Sequence, residues 1–162
     1  MAAGSSYFPA TQPADLAELR LLIELAALRR LADRGLCGEE LALVGNLADA
    51  TVRAARGGDM PGYLRADTAF HLCLMGLTGE PAVCEVARLL LAPELESAPG
   101  ADESDLFMVR EAREHAELVG MLAGGMVSAA DHLLRLHLSR RSAGATAPGA
   151  RIRPRLAGAA GL

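Results

Sequence analysis

Four histidines are the residues of this chain best suited to chemistry: His71, His115, His132 and His137. Asp67 precedes His71 by four residues, a spacing that stacks both side chains on one helix face about one turn apart. A carboxylate and an imidazole so placed can offer two ligands to one metal ion, or can simply pair with each other by a hydrogen bond. His115 is followed at helical spacing by Leu118, Val119 and Leu122, an apolar stripe that turns the imidazole inward or to the stripe's edge. His137 lies among Leu133, Leu134 and Leu138. Burying three unpaired imidazoles in a small apolar bundle costs free energy unless something satisfies them together, and a shared cation does so. His132 stands five residues before His137, about 140° away around a helix, so the two cannot face one centre and His132 reads as an exposed polar residue.

Positioning these groups requires helices, and the hydrophobic pattern supplies them. Residues 1–14, rich in small residues and proline, read as an extended lead-in. From Asp15 the apolar residues follow a spacing of three and four, with Asp15 as N-cap and Glu18 as its capping-box partner, up to Gly35. Further helices are predicted from Gly38–Glu40 to Gly57-Gly58, from Asp59 to Leu77, from Pro81 to Leu91, from Asp102 to Leu122, and from Met126 or Ser128 to Arg141. Residues 92–101 read as a proline-rich loop and residues 142–162 as a disordered tail. Nothing alternates with period two, which predicts an all-α antiparallel bundle of about six helices joined by short loops.

Composition narrows the function. The 162 residues suit one domain, and 51 % apolar with 22 % charged residues fits a globular chain without a membrane span. All 16 basic residues are arginine, so Schiff-base chemistry, a phosphate-loop lysine and a lysine general base are excluded. Residues 1–142 carry 13 arginines against 20 acids, a charge of −7 that repels phosphate backbones and denies the body a DNA-binding face. Cys37, Cys73 and Cys84 show no metal spacing and no signal peptide precedes them, so they read as reduced core thiols of a cytoplasmic protein.

R-x-x-x-E in Arg20 to Glu24, G-D-x(7)-D-x-x-F-H in Gly58 to His71, E-H in Glu114-His115 and H-L in His137-Leu138 together give a specific pattern. It resembles the FCD domain, the all-helical effector-binding half of the FadR-like branch of GntR-type bacterial transcription regulators, over about residues 14–141. The resemblance implies a divalent metal held by Asp67, His71, His115 and His137. Zinc comes first for such a set, and nickel, iron and manganese also suit it. It further implies a small organic acid bound through its carboxylate at the metal, with Arg20 helping to hold it; a fork of guanidinium donors matches a carboxylate bidentately. Arg20 can equally form a salt bridge to Glu24 at i, i+4.

The family usually carries Gly-Asn after the third helix, where this chain has Gly79-Glu80-Pro81. Its winged helix-turn-helix head is expected to lie outside this chain, with Gly4-Ser5-Ser6-Tyr7-Phe8 resembling the end of the wing strand. The reading is therefore a sensor: a homodimeric effector domain that reaches DNA only through the head and has no membrane role. A free-standing metal-dependent enzyme on the same scaffold is the alternative, and a dimerisation module with structural zinc is a third reading.

Overall fold

Glycine punctuation and the helical period divide the chain as its sequence predicts. In the computed structural model, which describes residues 13–92 and 104–145, the elements are α1 (Pro13–Arg34), α2 (Gly38–Arg56), α3 (Met60–Gly76), α4 (Pro81–Leu91), α5 (Ser104–Ala123) and α6 (Val127–Ala145). The described residues include no strand, so the fold is the all-helical bundle expected. No helix among them is long and apolar enough to cross a membrane. Residues 1–12 of the expected lead-in, which include the Gly4 to Phe8 segment, most of the 92–101 loop and the tail from residue 146 lie outside the described residues.

Two ends differ from the sequence reading. α1 opens at Pro13, two residues early, because proline is preorganised for a first helical turn and gives up an N–H that has no partner there. Asp15 consequently lies within the first turn rather than at the cap, where its charge still suits the helix dipole. α6 continues past Arg141 to Ala145, so residues 142–145 belong to the helix and not to the tail. The Cys37 expectation also fails: it is exposed, ahead of α2, while Cys73 and Cys84 are half-buried.

The turn into α3 is built most tightly. Asp59 caps the helix, its carboxylate accepting from the backbone N–H of Gly62 at 2.9 Å. A Cβ on Gly62 would stand 2.0 Å from an Asp59 carboxylate oxygen, so a larger residue here has to push the capping carboxylate aside. Glu40 reaches back to accept from the N–H of Cys37 at 2.9 Å and receives Arg34 at the end of α1, joining two helices across one short loop. At Gly79-Glu80-Pro81, Glu80 makes no side-chain cap for α4 but pairs with Arg30 of α1 at 2.8 Å.

α2 packs along α3 and α5, α1 lies against α6, and α4 closes over α3 and α1. Leu25, Leu28 and Leu31 of α1 meet Val44 and Ala48 of α2, Phe70 and Leu74 of α3, Leu118 of α5, and Ala130, Leu134 and Leu138 of α6 in one buried cluster. A second cluster joins Ala55, Tyr63, Leu64, Met108 and Ala112. A third joins Ala27, Met75, Ala87 and Leu91. Phe70 and Leu118 flank two of the histidines along the chain, so the polar centre is held against the largest apolar cluster.

Candidate metal centre

Asp67 and His71 project from one face of α3, and His115 of α5 and His137 of α6 meet them. Asp67 is 1 % exposed and the three histidines 0 %, so all four are sealed from water. His137 Nε2 stands 3.2 Å from His115 Nε2 and 3.3 Å from His71 Nε2. Asp67 Oδ1 lies 3.4 Å from His115 Nε2 and 3.9 Å from His71 Nε2. Donors bonded at roughly 2.0–2.2 Å to one ion stand about 3–3.5 Å from their neighbours, so the three shorter spacings fit a coordination shell. His132 is exposed, on the other side of α6 as its phase required.

The outward nitrogens are also occupied. Glu24 of α1 meets His71 Nδ1 at 2.6 Å through Oε2, while its Oε1 accepts from Arg20 Nε at 2.6 Å. His137 Nδ1 lies 3.0 Å from Glu114 Oε2 and 3.2 Å from Glu111 Oε2, and Arg140 pairs with both carboxylates from outside. His115 Nδ1 faces the Thr51 hydroxyl of α2 at 3.2 Å. Phe70 stacks on the His115 ring at 4.2 Å between centroids and presents its edge to His71 at 5.4 Å. A carboxylate only accepts, so His71 and His137 each donate from Nδ1, and in its neutral form each ring turns a bare Nε2 lone pair inward.

Burial by itself raises the pKa of Glu24, but the charges of His71 and Arg20 and their hydrogen bonds outweigh it and bring it down to about 2. Glu114 follows the same logic: burial raises its pKa, and His137 and Arg140 bring it below its ordinary value. Both carboxylates are therefore held in the charged form that accepts a hydrogen bond from a ring N–H.

The four predicted donors converge, and Arg20 forms the salt bridge to Glu24 that its spacing allowed. Sequence reasoning did not reach Thr51, Glu111 or Arg140, and took Glu24 only as a partner for Arg20. Glu111 and Glu114 at i, i+3, with His115 beside them, carried a usable signal: two acids on the face that turns inward. Apolar side chains of α1, α3 and α5 near the centre fall into two clusters. Ile23, Leu72 and Met75 pack in the third cluster, whereas Leu118 and Met121 belong with the first.

Among the described residues six helices enclose a buried set of three imidazoles and a carboxylate. The profile of the FCD domain matches residues 15–140, and the chain belongs to that family. Two solved structures share the fold. One is described by the words "Lar controls the expression of the Listeria monocytogenes agr system and mediates virulence", with a TM-score of 0.72 and 16 % identity over 83 % of this chain and 65 % of that one. The other is E. coli McbR/YncC, with a TM-score of 0.69 and 20 % identity over 83 % of this chain and 64 % of that one. The chain thus spans less than two thirds of the length of either structure. No curated protein matches it by sequence.

Proposed function

We propose that this domain is the effector-binding and dimerisation part of a GntR/FadR-type transcription regulator, sensing a small organic acid through a divalent metal. Asp67, His71, His115 and His137 hold the ion, zinc before nickel, iron or manganese, and Arg20 contributes to binding the acid. DNA is reached through a winged-helix head outside this chain. The observation that carries this reading is the convergence of the three Nε2 atoms and Asp67 Oδ1 in a fully buried place. With neutral rings two of those nitrogens are bare lone pairs, and bare lone pairs facing a carboxylate repel one another unless a cation lies among them.

Charge supports a divalent ion. Inside the cluster the carboxylates of Glu24, Asp67, Glu111 and Glu114 stand against the guanidinium groups of Arg20 and Arg140, leaving −2 with neutral imidazoles. Arg110, largely exposed, approaches Glu111 from the rim at 3.7 Å. When bound, the ion supplies a Lewis-acid centre for the carboxylate of an organic acid. Arg20 is bonded to Glu24, and Glu24 to His71, so an acid drawn to Arg20 acts on the same chain of contacts that orients a metal ligand.

Elemental analysis of the purified protein, beside His115→Ala and His137→Ala, tests the reading. About one transition metal per chain, lost in both variants, is the expected result. Small carboxylic acids should then raise the melting temperature of the metal-loaded protein and leave the metal-free protein unmoved. A parent that takes up no zinc or nickel on reconstitution removes the metal from the proposal.

A further inference from the structure

A neutral imidazole has one proton and two nitrogens, and the partner at Nδ1 decides which nitrogen faces the centre. For His71 and His137 the partner is a carboxylate. His115 has instead a hydroxyl, which can donate or accept. Its direction is decided on α2. Thr51 Oγ1 lies 2.6 Å from the backbone oxygen of Ala48, one turn earlier, and a carbonyl only accepts. The hydroxyl proton is committed to that short bond, and the longer contact of 3.2 Å presents an oxygen lone pair to His115 Nδ1. His115 Nδ1 carries the proton, and Nε2 is left bare toward Asp67 and His137.

We infer that Thr51 is a positioning residue for the metal-binding nitrogen of His115, acting through a hydroxyl that Ala48 aims. The inference rests on the proposed metal centre. Thr51 is fully buried among the apolar side chains of α2, where valine of the same shape would pack as well, so packing alone does not call for an oxygen. The three imidazoles are then unequal. His71 and His137 rest on carboxylates, which raise the basicity of a ligating ring, whereas His115 rests on a neutral oxygen and is the weakest donor.

Thr51→Val and Thr51→Ser separate positioning from packing. Nitrogen-15 NMR of the metal-free parent should find His115 as the Nδ1–H tautomer, as it should in T51S, and T51V should move it toward Nε2–H. Competition with a chelator should find zinc held roughly 10–100-fold more weakly by T51V and close to parent strength by T51S. T51V that binds zinc as tightly as the parent overturns the inference, and so does an Nε2–H ring in the metal-free parent. The tautomer is read without zinc, so it judges Thr51 even where a parent without zinc affinity has overturned the metal reading. Should T51V not fold, the tautomer of the parent decides alone.

Discussion

Glu24 and His71, 47 positions apart, meet at 2.6 Å with both side chains sealed from solvent. The contact ties α1 to α3 at the centre, and Arg20 extends it by one more ion pair along α1.

That pair gives the fold an acid-sensitive element. Glu24 is held at about 2 against an ordinary 4.5, so its contribution is fully present above about pH 4.5 and is lost as the pH falls toward 2. The shift corresponds to a contribution on the order of 3 kcal/mol. Glu24→Gln should lower stability at neutral pH and flatten its dependence on pH below 4.5. Chemical unfolding followed across acid pH checks this; a variant with the parent's acid profile refutes it.

Asp67→Asn should act in opposite directions on the two forms of the protein. The asparagine keeps the shape and removes a buried charge, so the metal-free form is expected to gain about 1 kcal/mol, roughly 3 °C in a domain of this size. Zinc binding should fall by at least an order of magnitude, because a neutral amide is a poor ligand. Melting at about pH 8 with and without a chelator reads both effects.

Asp59→Ala and Gly62→Ala should destabilise by similar amounts, about 0.5–2 kcal/mol each, since both abolish one capping bond. The double variant should cost little more than either single one. Full additivity would mean that Gly62 matters for a reason other than its approach to Asp59.

Leu31→Ala and Phe70→Ala probe the same cluster with different reach. Leu31 should cost about 2–5 kcal/mol and Phe70 about 3–5 kcal/mol, by cavity formation. Zinc affinity should fall in Phe70→Ala alone, because Phe70 stacks on His115 while Leu31 is held in the apolar cluster. Calorimetric zinc titration of both variants compares them.

Much of this architecture was legible along the chain. Gly35, Gly58, Gly79 and Gly125 each adopt a positive φ at a helix end, in the gaps between the helices that the sequence predicts. Asp67 with His71, and the inward phases of His115 and His137, followed from a period of 3.6 residues. What stayed hidden lies across helices. Thr51 is 64 positions from His115 and looked like one more residue of an apolar face. Glu24 had a nearer partner in Arg20, and its second oxygen pointed to nothing the sequence could name. Periodicity gives the phase of a helix but not which neighbour its face will meet.

The donors at the centre come from distant parts of the chain, and this bears on how the domain holds together. Asp67 and His137 are about 70 positions apart, with α4 and α5 between them. An ion gripping both is a reversible cross-link that closes this stretch into a loop and removes freedom from the unfolded chain, as a disulfide does. α4 contributes no donor, yet it would be confined by the ring as firmly as the helices that do. Rigidity of the bundle would then vary with the metal supply of the cell.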